Sequence, residues 1–172
     1  MNILYKGIRD VKDFPKKGII FKDITPLLGN PVLLKKTIDV LAKECKKYSP
    51  DAIVSMDARG FIFGSAIAYL LKRGFIPVRK KGKLPYKTIC AEYELEYGVD
   101  ILEMHEDAIK KNRKYVIVDD LLATGGTAEA VYKMINKSKG KVCAFVFLTE
   151  LTFLSGRAKL EKYAKVISIL KY

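Results

Sequence analysis

The sequence predicts an α/β fold: a doubly wound, mostly parallel sheet with helices on both faces, plus a small N-terminal hood. Three observations carry this reading. Short apolar runs alternate with helical patterns from residue 31 onward, the alternation that builds parallel sheets from strand-helix-strand units. The residues able to do chemistry stand at the ends of those runs, where such sheets hold ligands. No internal repeat or low-complexity linker divides the 172 residues, a length that suits one domain with a substantial core. A single domain over residues 1–172 is expected, with residues 1–30 contributing the hood.

Residues 1–30 are broken by Phe14-Pro15, Gly18, Pro26 and Gly29, and only residues 2–9 suit a short helix. Residues 18–24 are apolar enough for partial burial, but their neighbours argue against an isolated strand, so a flap is expected. Residues 31–48 form an amphipathic helix that Asn30 can cap, with Pro31 in its first turn and Leu34, Ile38 and Leu41 on one face. Residues 52–55 read as a strand, followed by Met56-Asp57-Ala58-Arg59-Gly60 opening a helix to Arg73. Such a junction can bind an anion through helix N–H groups and Arg59. Taken alone, an arginine there is as readily an exposed turn residue.

Residues 75–78 form the next strand, and Arg79-Lys80-Lys81-Gly82-Lys83-Leu84-Pro85 follows as a basic loop suited to closing on phosphates. By itself this loop also reads as solvated surface. Residues 91–97 and 99–104 alternate around Gly98 as a hairpin whose glutamates are expected to face solvent. Residues 115–118 are a buried central strand, followed by Asp119-Asp120, then Thr124-Gly125-Gly126-Thr127 before a helix to about residue 138. A strand over 141–149, a short helix at 156–160 and a last strand over 166–170 complete the order.

The acidic pair beside a glycine loop points to a phosphorylated sugar. Glycines let backbone N–H groups converge on a phosphate, threonine hydroxyls add donors, and the helix N-terminus adds partial positive charge. Carboxylates cannot serve that phosphate; they accept from sugar hydroxyls or face a hydrated Mg²⁺. The plain alternative is an ordinary turn with Thr127 as N-cap. The stretch is neither a Walker loop nor a dinucleotide fingerprint.

Composition narrows the function. The chain is 49% hydrophobic and 30% charged, ordinary for a soluble protein. Its longest apolar run, residues 61–71, is shorter than the about 20 residues that span a bilayer, and no signal-peptide core is seen. Cys45, Cys90 and Cys143 share no close spacing and His105 is the single histidine, so a disulfide framework, zinc site or histidine triad is not expected. Reduced thiols and a cytoplasmic location are. The formal charge of +13 favours an anionic partner. Its lysines come in scattered pairs without a basic tract, so nucleic acid and membrane are not expected partners.

The run Val116-Ile117-Val118-Asp119-Asp120-Leu121-Leu122-Ala123-Thr124-Gly125-Gly126-Thr127 resembles the phosphoribosyl pyrophosphate motif of the type I phosphoribosyltransferases, in the form seen in the adenine phosphoribosyltransferase family. The resemblance extends in order over five stretches and nearly the whole chain; Lys22, where some members carry Arg, is the mildest variation. It implies the type I phosphoribosyltransferase fold, conversion of adenine and phosphoribosyl pyrophosphate to AMP and pyrophosphate, and a homodimer. Mg²⁺ is implied as cofactor, held mainly through the substrate with no direct protein ligand.

The resemblance also implies roles for individual residues. Ala123, Thr124, Gly125, Gly126 and Thr127 bind the 5-phosphate, and Asp119 and Asp120 face the ribose hydroxyls. Arg59, Arg79 and Lys83 bind pyrophosphate, and either subunit of the dimer can supply Arg79 and Lys83. Phe21 and Leu121 sandwich the purine while the main chain near Ile20 reads its edge. In Leu95-Glu96-Tyr97-Gly98, Glu96 is the acid toward the base and Tyr97 helps close the site. The peptide at the position of Asp57-Ala58 can be cis in that family. A transferase for hypoxanthine, guanine or xanthine is the rival enzyme, separated by a base-preference assay. A nucleotide-sensing regulator on nucleic acid is the rival from another class.

Overall fold

The structure, a computed structural model, describes residues 3–94 and 99–172. It divides into two compact units, Met1–Val40 and Leu41–Tyr172. In the first, a 3-10 turn at Ile3–Gly7 leads into strand β1, Arg9–Lys12, which pairs antiparallel with β2, Ile20–Asp23. Residues 18–24 thus do hold a strand, and it is paired rather than isolated. Ion pairs Arg9–Asp23 at 2.6 Å and Lys22–Asp10 at 2.7 Å tie the two strands.

A helix not expected from sequence, α1, spans Thr25–Gly29. Pro26 falls in its first turn, the place where a missing N–H costs nothing, so it starts a helix rather than breaking one. The Thr25 hydroxyl and N–H, with Arg9, pull the Asp23 carboxyl down to about 2. Asn30 Oδ1 then accepts from the N–H groups of Val32 and Leu33 at 3.0 and 3.1 Å. That is the expected cap of α2, Pro31–Lys46.

The second unit is a seven-stranded sheet. Its strands are β3 (Ala52–Met56), β4 (Gly74–Lys80), β5 (Thr88–Glu94), β6 (Val99–His105), β7 (Lys114–Leu122), β8 (Lys141–Glu150) and β9 (Lys165–Lys171). Their order across the sheet is β5-β6-β4-β3-β7-β8-β9. From β4 to β9 the neighbours run parallel, and β7 is the middle of those five strands. The hairpin β5-β6 joins antiparallel at the edge of β4, through Arg79↔Glu103 and Lys80↔Leu102.

Both faces of the sheet are covered, as strands rich in Val, Ile and Phe require. On one face Val54, Met56, Ile117, Phe145 and Phe147 pack with Val131, Met134 and Ile135 of α4, Gly126–Lys137. On the other lies α3, Arg59–Leu71, brought close by glycine: a Cβ on Gly64 would collide with the Ser55 hydroxyl and come within 2.8 Å of the Ser55 Cβ. The short α5, Gly156–Leu160, precedes β9. No described helix is long and apolar enough to cross a membrane.

All three cysteines are free. Burial pushes the Cys45 thiol up to about 12. Since the thiolate is the reactive form, iodoacetamide at pH ~8 is expected to alkylate the exposed Cys90 in the native protein and Cys45 only after denaturant is added. Intact-mass analysis checks this; rapid native labelling of Cys45 would contradict the packing of α2.

Candidate active site

β7 continues to Leu122, so Asp119 and Asp120 belong to the strand itself rather than following it. Their placement depends on the sheet: Asp119 is opposite Phe147 in the ladder with β8, and the Thr149 hydroxyl donates to the Asp120 carbonyl at 2.7 Å. After Leu122 the chain turns through Ala123, Thr124 and Gly125. Gly125 has φ +79°, a conformation that favours glycine, and is the N-cap of α4. No side chain caps this helix, and Thr127 lies inside its first turn, so the plain capping alternative does not hold. The first N–H groups of a helix lack intrahelical partners, and an N-terminus without a side-chain cap is suited to receive an anion.

α3 brings the second part. Its first residue is Arg59, preceded by the Asp57-Ala58 peptide, which is cis. Arg59 Nε lies 2.9 Å from Asp120 Oδ2. Gly60 makes the approach possible: a Cβ there would stand 2.6 Å from Asp119 Oδ1. That oxygen accepts the Asp120 N–H at 2.9 Å. Burial, then the adjacent Asp120 charge, pushes the Asp119 carboxyl well above its ordinary range. Burial also raises Asp120, opposed by Arg59.

Two hollows meet at this pair. One, of about 210 Å³, runs from Arg59 and the two aspartates to Thr124, Gly125 and Thr127. The other, of about 200 Å³, runs from the same three residues to Asp57, Lys80 and Tyr93. The arrangement offers N–H donors at one end, carboxylates in the middle and cations toward the other. This suits a sugar carrying phosphate at both ends. Two adjacent carboxylates whose charge burial disfavours are also a fitting oxygen environment for a hard, hydrated divalent cation.

The phosphoribosyl transferase domain family matches residues 25–171. An adenine phosphoribosyltransferase of Acetivibrio thermocellus is 55% identical over 96% of this chain and 96% of its own length. One from Brachyspira hyodysenteriae is 58% identical over 91% of this chain and 92% of its own. The crystal structure of the Thermoanaerobacter pseudethanolicus adenine phosphoribosyltransferase superimposes with TM-score 0.94 at 51% identity, covering 98% of each chain. The chain belongs to the adenine phosphoribosyltransferase family. Its fold is that family's type I fold, as the sequence predicted.

In this family member the basic loop is held rather than loose. Arg79 Nε donates to Asp57 Oδ2 at 3.1 Å, and its Nη1 to the Lys83 carbonyl at 3.1 Å. Lys80 pairs with Asp100 at 2.7 Å. Arg59 and both aspartates are thus brought together with the glycine loop, residues 123–127, and Arg79 is tied to the turn that carries Arg59. Ile20 and Phe21 stand on β2 of the first unit, with Phe21 edge-on to Phe14 at 5.2 Å, while Leu121 is half-buried on β7 of the second. Glu96 and Tyr97 lie outside the described residues. Among the described residues, no cluster of three or more His, Cys, Asp or Glu that could hold a metal is present.

Two residues that sequence reading passed over matter to an adenine phosphoribosyltransferase site of this shape. Glu103 was expected to face solvent with the other hairpin glutamates; it is 4% exposed. The signal was the imperfect alternation of β6, where Leu102, Glu103 and Met104 are all buried and both faces are covered. Gly156 backs directly onto the loop of residues 123–125, and a Cβ on it would collide with the Ala123 carbonyl. Arg157 beside it makes a two-bond pair with Glu150, at 2.9 and 2.7 Å, and this fixes α5.

Proposed function

We propose that the protein transfers the 5-phosphoribosyl group from phosphoribosyl pyrophosphate to adenine, giving AMP and pyrophosphate. The observation that carries this is the Asp119-Asp120 pair set between the uncapped N-terminus of α4 and Arg59. Loop residues Ala123 to Thr127 hold the 5-phosphate, and Asp119 and Asp120 accept from the ribose hydroxyls. Displacing pyrophosphate builds positive charge on the sugar and negative charge on the leaving group. The aspartates stabilise the first; Arg59, Arg79 and Lys83 stabilise the second. Asp119 and Asp120 would stand beside a Mg²⁺ carried mainly by the substrate, which would supply further neutralisation of the pyrophosphate.

Residues 1–30 serve as the hood, with Phe21 and Leu121 on either side of adenine and the main chain at Ile20 reading its edge. Glu96 bonds the imidazole nitrogen that does not attack: as the other nitrogen bonds the anomeric carbon and pyrophosphate leaves, Glu96 takes the proton the base must lose, and it returns that proton as the acid in the reverse direction, while Tyr97 helps close the site. The protein acts in the cytoplasm as a homodimer on small molecules, without nucleic acid or membrane. Support comes from the family, whose relative in Saccharomyces cerevisiae was crystallised with adenine and an imino-altritol bisphosphate, at 39% identity and TM-score 0.90 over 96% of each chain.

The test is AMP formation from adenine, phosphoribosyl pyrophosphate and Mg²⁺, beside hypoxanthine and guanine. Turnover with adenine alone is the expected result. Turnover with another base overturns the hood reading and keeps the phosphate site; none with any base overturns the transferase.

A further inference from the structure

We infer that Glu103 is a positioning residue for pyrophosphate: from beneath the basic loop its carboxylate grips the Lys83 backbone and so sets where the loop's cations stand. The inference deepens the proposed transfer and rests on it. Oε1 of Glu103 accepts the Lys83 N–H at 2.9 Å and the Leu84 N–H at 2.8 Å. The Gly82 N–H and the Thr88 hydroxyl also turn toward this carboxylate. Gly82 has φ +82°. Successive N–H groups around a left-handed residue form a concavity that ordinarily takes an anion. Here the anion is a side chain of the protein.

Two consequences follow for the ligand. The N–H groups of Lys83 and Leu84 are already used, so this part of the loop meets pyrophosphate through side chains. Lys83 is held at both ends of its residue, its N–H by Glu103 and its carbonyl by Arg79 Nη1 at 3.1 Å. Arg79 in turn bonds Asp57 at 3.1 Å, next to the turn that presents Arg59. One chain of contacts therefore runs Glu103, Lys83, Arg79, Asp57, and it sets two of the three cations assigned to pyrophosphate, Lys83 and Arg79; the third, Arg59, pairs with Asp120. None of it reaches the phosphate loop at residues 123–127. A buried carboxylate is costly unless hydrogen-bonded, and burial alone would raise its pKa. The surrounding N–H groups outweigh that effect and keep it below the ordinary range.

The selective effect distinguishes positioning from general support. Glu103→Ala is expected to raise the KM for phosphoribosyl pyrophosphate and the inhibition constant of pyrophosphate about tenfold, with the Kd of AMP unchanged. AMP carries the 5-phosphate and base but no pyrophosphate. Glu103→Gln keeps an Oε1 acceptor for both N–H groups and is expected to stay near the parent in both constants. If Glu103→Ala does not fold, Glu103→Asp, which withdraws the carboxylate by one methylene, is expected to show the same selective weakening. Equal loss of AMP and pyrophosphate affinity, or no loss of either, overturns the inference. Calorimetric binding of pyrophosphate to the parent and variants reads this independently of turnover. A parent that makes no AMP therefore overturns the transfer without obscuring the role of Glu103.

Discussion

Gly156→Ala is expected to leave the chain folded and to lower kcat/KM for phosphoribosyl pyrophosphate about 10²-fold. The added Cβ would collide with the Ala123 carbonyl and stand 2.9 Å from both the Gly125 nitrogen and the Thr124 carbonyl carbon. These are backbone atoms of the loop assigned to the 5-phosphate in the proposed function, so they yield only by moving the loop. Retreat of α5 is resisted, because Arg157 bonds Glu150 at 2.9 and 2.7 Å and the Val166 carbonyl at 2.8 Å. Gly125 offers little slack either: a Cβ placed on it would stand 2.9 Å from the Gly156 carbonyl oxygen, so the two backbones already pass close to one another. Overpacking of this kind costs about 1–3 kcal/mol, and each kcal/mol lowers Tm by about 2–4 °C in a chain of this size. Steady-state kinetics, AMP calorimetry and a melting curve on the same protein check it. Unchanged AMP affinity would show that α5 does not shape the loop.

Asp119→Asn is expected to reduce kcat by about 10²–10³ while raising Tm. The amide oxygen can still accept the Asp120 N–H, held at 2.9 Å in the parent. What disappears is a negative charge that burial and the Asp120 carboxylate both disfavour. The sign is definite: a carboxyl raised in the folded state is ionised less readily there than in the unfolded chain. The parent therefore gains stability as pH falls from neutral through the raised value, and the gain is complete below the ordinary 3.8. In the Asn protein that gain is smaller, since only Asp120 of the pair still titrates. Melting curves between about pH 7.5 and pH 5 read the difference. A lower Tm at neutral pH would mean that the charge is well accommodated without substrate, and the electrostatic account would fall. Activity bought with stability in this way is common at catalytic sites.

Much of this was legible because the parallel strands are buried on both faces and so read as apolar runs. β7 announced itself through Tyr115 to Val118, and its acidic pair and glycines through their chemistry. Its true end was not legible, because Asp119 and Asp120 look like strand terminators until β8 supplies hydrogen-bond partners for them. β1 was missed for a different reason. Its residues are mostly exposed and its pairing with β2 is made by backbone and by ion pairs, so no apolar period marks it. Glu103 and Gly156 were missed because each acts on a loop far from it in sequence. A local pattern gives an element's type but not what lies across from it, and both residues owe their importance to that opposing surface.

The middle place of β7 among the parallel strands also bears on how the protein is made. β3 is synthesised before β7 and waits for it, but β8 comes only after residue 140. A nascent chain that stops short of it carries the whole phosphoribosyl pyrophosphate motif on a strand with one edge unpaired, and without the helix that backs its loop. Such an edge is an invitation to pair with other chains. Residues 141–171 thus act as an internal closing segment: until they emerge from the ribosome, the motif is complete in sequence and absent as a site.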